Sequence, residues 1–174
     1  MSLPPRRLQL LVLAAGAGST STEICASRLL APYFGASTVV WANVIGLVLA
    51  ALSVGYWLGG RIADRHPRPQ VLGGIVVAGG ALVAIVTFAA QPLLDLTVRG
   101  LNNVSAGAVV GSFLGSLVLF APPVVLLGVA APFAIRLAVS DVAAAGTVSG
   151  RMYALSTVGS ILGVFVPAIV TIEL

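Results

Sequence analysis

Glu23 is the residue whose type and position most suggest chemistry. It lies well inside an apolar run that begins at Leu8, and an ionised carboxylate in a lipid-spanning segment costs several kcal/mol unless it is paired or hydrated. Such a group needs a partner, a bound cation or a cavity. Arg28 follows at roughly 140° further round a helix, so a direct bond within that helix is not expected. Asn43, Tyr56, Tyr153 and Arg28 are the side chains from which a structural network for Glu23 would be drawn. Ser19, Thr20, Ser21, Thr22 and Ser27 make the surrounding stretch unusually polar, the pattern expected where a helix faces water, a cation or a polar network. Two readings stay open at Glu23: a ligand, ion or proton site, and a purely structural network.

A second group is Arg61-Ile62-Ala63-Asp64-Arg65, followed by His66-Pro67-Arg68-Pro69. An aspartate at a helix end flanked by arginines can form an ion-pair hinge that ties neighbouring helices and responds to conformational change. The same residues would also serve as a topology anchor alone. Arg151 marks the start of the last apolar segment. Ala15-Gly16-Ala17-Gly18-Ser19 has the outline of a glycine-rich phosphate loop, but it sits inside an apolar helix with no preceding strand and no lysine, so it is read as packing. Cys25 is the only cysteine and His66 the only histidine. No nucleophile-base set, metal cluster or nucleotide-binding loop is legible, so no metal, no cofactor and no catalysis by this chain alone is expected.

The elements that position these residues follow from composition. Hydrophobic residues make up 59% of the chain and charged ones 8%, with a mean hydropathy of +1.11, far from the balance of soluble domains. The stretch from Leu29 to Gly60 carries no charge, longer than the roughly 20 residues that cross a hydrocarbon core of about 30 Å. The net charge of +4 comes from arginine without lysine and without basic patches interleaved with aromatics, which argues against nucleic acid. An all-α, polytopic transmembrane bundle is expected, as a single domain over 1–174.

Five spans are expected, over about 8–33, 37–60, 70–91, 106–127 with a kinked extension to about 137, and 152–171. The first is read as a retained span rather than a signal peptide. Pro122-Pro123 and Pro132 should break or kink the fourth, and Pro92 to Asn103 should form a separate surface segment. Arg6, Arg7, Arg61, Arg65, Arg68, Arg136 and Arg151 gather at one end, against Arg28 and Arg99 at the other. That bias puts the N-terminus in the cytoplasm and, with an odd number of spans, the C-terminus at Glu173 outside. Asn103-Val104-Ser105 matches a glycosylation sequon, a weak signal. Small residues paired at four-residue spacing, Gly55/Gly59, Gly111/Gly115, Gly159/Gly163 and Ala14/Gly18, are expected to bring helices together.

Several stretches also carry a resemblance. Glu23 to Gly35 with Trp41, Ser53 to Arg65, Pro132 with Ile135-Arg136-Leu137, and Ser149 to Gly163 together resemble the membrane-embedded N-terminal region of fused spermidine synthase-like proteins. In that family the spans precede a soluble aminopropyltransferase-like domain of the Rossmann methyltransferase type, which would bind decarboxylated S-adenosylmethionine and a polyamine. No catalytic residue of that domain can be matched here. The Gly60 to Arg65 loop is also similar to the short cytoplasmic signature between the second and third helices of major facilitator transporters.

The carboxylate at Glu23 and the gate-like loop, taken with the resemblance, lead to the expectation of a non-catalytic domain of a prokaryotic plasma membrane that binds or passes a small cationic solute such as a polyamine through a site near Glu23. Two other readings remain open. One is an accessory or scaffold subunit, as a homo-oligomer or within a larger membrane complex. The other is the membrane half of a split aminopropyltransferase whose soluble half is a separate chain.

Overall fold

The computed structural model describes residues 5–35, 37–101 and 107–172; Asn103 to Ser105 and Glu173, named above, lie outside them. The described residues form helices and no strand: α1 (Pro5–Phe34), α2 (Thr38–Arg65), α3 (Pro69–Leu101), α4 (Gly107–Leu119), α5 (Ala121–Gly128), α6 (Ala130–Ala138), a 3-10 turn at Val142–Ala144, and α7 (Ala145–Ile172).

Local chemistry sets the ends. Gly35 stops α1 at a φ of 78°, the left-handed conformation that ends many helices, and its N–H reaches the Ala31 carbonyl at 2.9 Å. Ser37 then caps α2, its hydroxyl accepting from the Val40 N–H at 3.3 Å. At the far end Pro67 cannot continue α2, and Pro69 opens α3 at a position that needs no N–H. Asp141 caps the turn before α7, accepting from the Ala143 N–H at 3.2 Å.

α4, α5 and α6 form one broken pass. Pro122, Pro123 and Pro132 each lack the N–H that a helix interior requires, so the axis bends near Phe120 and Val129. Backbone bonds still bridge both bends, from Val124 to Phe120 and from Phe133 to Val129, each 3.2 Å. The kinks therefore fall on both sides of α5, where a full span with one kinked extension was expected. α3 departs further, because it runs unbroken through Pro92 to Leu101 instead of ending before a surface segment. Ala90 and Leu94, both fully buried, flank that proline, and their packing holds the helix together across the missing donor.

Five apolar stretches are long enough to cross a membrane: Arg6–Phe34, Thr38–Arg65, Pro69–Val98, Ala121–Ala138 and Val142–Val170, with the shorter apolar helix Val109–Leu119 beside them. Phe88 is 84% exposed, and Val77, Ile85, Ile161, Phe165 and Ile169 are exposed with it. Such a surface is inside out for water and natural for lipid.

The packing pairs parallel helices. α2 meets α4 where Asn43 donates to the Val109 carbonyl and the Ser112 hydroxyl, each at 3.1 Å. It meets α5 where Gly55 lies against Val125 and Gly128, and α6 where Gly59 lies against Val129 and Pro132. α1 meets α7 in the same sense, Leu13 beside Gly159 and Ala17 beside Gly163. Ala14 is exposed and Gly18 faces Leu127, so Gly16 and Ala17, rather than the Ala14/Gly18 pair, form this seam.

Two apolar clusters result. One gathers Ala26, Leu30, Phe34, Val44, Leu94, Phe120 and Val124; the other gathers Leu8, Val12, Ala15, Ala63, Leu72, Phe133 and Met152. Along α1 they leave Gly16 to Cys25 between them, the stretch that holds Ser19 to Glu23.

Candidate functional site

The polar layer between the clusters is built chiefly on α1 and α7. Three hydroxyls converge on the Gly16 carbonyl: Ser19 at 3.0 Å, Thr20 at 3.2 Å and, from α7, Ser160 at 3.4 Å. Ser21 returns the contact by donating to the Gly163 carbonyl at 3.0 Å. Thr22 and Ser27 bond back along α1 to Gly18 and Ile24, at 2.7 and 2.8 Å. Hydroxyls in a helix commonly satisfy themselves this way. The hydroxyls of this stretch thus bond to backbone carbonyls of α1 and α7, a network different from the one expected around Glu23, which lies outside it.

Glu23 lies one turn beyond Ser19, on the same side of α1, and is partly buried. Among the described residues no hydrogen bond or ion pair reaches its carboxylate. None of the four expected partners is bonded to it. Asn43 is committed to α4, Arg28 is exposed, and Tyr56 and Tyr153 are exposed on α2 and α7. Tyr56 also lines a small cavity with Gly16, Ser19, Leu52, Gly128 and Ser156, at the level of the converging hydroxyls. Its free space of about 10 Å³ holds at most one water.

Asp64, Arg61 and Arg65 occupy the last turn and a half of α2. The Arg136 Nε donates to Asp64 Oδ1 at 2.9 Å, joining α2 to α6. It is the only ion pair among the described residues. The partner of Asp64 is therefore on another helix, and neither flanking arginine takes part. Both side chains are more than half exposed, at 51% and 69%, so the pair contributes at most about 1 kcal/mol. Arg61 instead lies over the Trp57 ring, 5.2 Å from its centroid. Arg151 is exposed near the start of α7. Among the described residues no three of His, Cys, Asp and Glu gather where they could hold a metal ion.

Sequence reasoning missed Ser156, Ser160 and the Gly16 carbonyl. The Gly159/Gly163 pair was the available signal, but spacing on one helix does not say which helix it meets.

Fold and layer together define the class: a polytopic helical bundle whose long apolar helices suit a bilayer and whose middle is crossed by a polar seam. No protein-family model matches the chain, and neither a curated protein nor a solved structure does.

Proposed function

We propose that this chain is a non-catalytic membrane domain that binds a small cationic solute of the polyamine class at the Glu23 face of α1. Its arginine-rich end faces the cytoplasm of a prokaryotic cell, and its termini lie on opposite sides. One observation carries the reading: Glu23 is an acidic side chain in the polar layer of a span, and no group among the described residues compensates it. A carboxylate near the middle of a span costs roughly 3 kcal/mol, which a bound cation offsets. A polyamine adds methylenes that suit the apolar walls, and an ammonium group suits the exposed Tyr56 ring beside Ser19.

The cavity beside Gly16 and Ser156, with room for at most one water, is too small to pass a polyamine, so passage would require α7 to move off α1. Spermidine titrated calorimetrically into the full chain in nanodiscs tests the reading. Affinity should fall tenfold or more, about 1.4 kcal/mol, in Glu23→Gln and recover partly in a variant with Asp at that position. Equal affinities for wild type and Glu23→Gln would remove the proposal.

A second reading, an accessory subunit, draws on a different observation. α3 and the α4–α5 bend wall an apolar groove of about 470 Å³ that runs past Ile85, Pro92, Leu96 and Pro122. A partner's transmembrane helix would fit it, and a companion chain retained in mild detergent would favour that reading.

A further inference from the structure

The lower turns of α2 carry a feature that the Glu23 site does not use. Trp57, Arg61 and Arg65 recur every fourth residue and so form one stripe, about 12 Å long at 1.5 Å per residue. Beside it, Leu58, Ile62 and His66 complete the lining of a concavity of about 350 Å³. That volume lies within the range of small-molecule sites.

The charge of this concavity is uncompensated. Asp64, the acidic residue nearest in sequence, is held by Arg136 on the α6 side. No carboxylate among the described residues pairs with Arg61 or Arg65. The Trp57 ring holds Arg61 at one face, which orders the guanidinium and leaves its N–H groups free to donate. A planar guanidinium matches two oxygens of a phosphate at once. Below the arginines the lining becomes Trp57 and Leu58, both within an apolar helix that has the length and composition of a span. A ligand with phosphate at one end and acyl chain at the other fits this order of chemistry.

We infer that Trp57, Arg61, Arg65 and His66 bind the headgroup of an anionic phospholipid at the arginine-rich end of α2. Phosphate is received by the two arginines, while the first acyl carbons lie on Leu58 and Ile62. Selectivity comes from what is missing in the lining: no acidic side chain is there to meet the cationic group of a zwitterionic headgroup. A lipid whose only charge is its phosphate is therefore preferred.

The chain has two tryptophans, so Trp41→Phe leaves Trp57 as a single reporter. Its emission is followed in phosphatidylcholine vesicles containing a small fraction of phosphatidylglycerol, with bromine on the acyl chains of one lipid or the other. Brominated phosphatidylglycerol should quench Trp57 more than an equal fraction of brominated phosphatidylcholine. Arg61→Gln and Arg65→Gln should each lower the apparent preference about fivefold, as expected for one cation at a membrane surface.

Quenching by brominated phosphatidylcholine, retained in each variant, reports insertion. Where Arg61→Gln fails to insert, Arg61→Lys keeps the charge and loses the two-point fork, and it should reduce the preference. Equal quenching by the two lipids would overturn the inference. Relief of the preference by millimolar inorganic phosphate would overturn it too, in favour of a soluble anion.

Discussion

Ser116 has the only buried side-chain oxygen or nitrogen among the described residues without a hydrogen-bond partner. It is 1% exposed, and an unmade bond of this kind costs roughly 1–3 kcal/mol. Ser116→Ala should therefore leave stability unchanged or raise it by about 1 kcal/mol, read by reversible unfolding in mixed micelles. A clear loss would mean that the hydroxyl has a partner, such as a bound water. Ser112, one turn earlier, behaves differently because it accepts from Asn43 and donates to Val109 at 2.9 Å. Ser112→Ala should be destabilising by about 1 kcal/mol. Sequence alone separates neither serine from the other. Glu23 was legible because one charge in an apolar run is visible without a fold. Its lack of partners was not, since it depends on where Asn43, Tyr56 and Tyr153 end up on three different helices.

At the scale of elements, the bundle is held by close approach at glycine. A Cβ added at Gly163 would strike the backbone at Ala17, and one at Gly80 would meet nothing within 4 Å. Gly163→Leu should cost about 1–3 kcal/mol through overpacking, while Gly80→Ala should be neutral or stabilising by up to about 1 kcal/mol. Equal effects in the same unfolding assay would contradict the α1–α7 seam. Asp64→Asn should cost less than about 1 kcal/mol, a difference that fades with salt. The pairs Gly55/Gly59 and Gly159/Gly163 could be read from spacing. Their partners could not, and Ala14/Gly18 shows that the same spacing also occurs off a seam. Pro92 misleads for a related reason: its local effect is fixed, but whether a helix survives it depends on the burial of Ala90 and Leu94.

For the whole molecule, alternating passes explain why α1 and α7 run parallel, as do α2 and the α4–α6 pass. Hydropathy made the five passes legible, because each must satisfy its backbone within itself in lipid. The pairing of sequence-distant helices was hidden, since lipid offers no hydrophobic preference between one apolar face and another. On a background lacking Cys25, cysteines at Thr38 and His66 should react with an impermeant maleimide from opposite faces of sealed vesicles. Labelling of both from one face would refute the path of α2. Dicyclohexylcarbodiimide, which partitions into bilayers, should modify Glu23 among the five acidic residues of the chain, as read by peptide mass spectrometry. Spermidine should protect Glu23 in proportion to its occupancy. Modification of Glu23 at the same rate with and without saturating spermidine would contradict a cation site there.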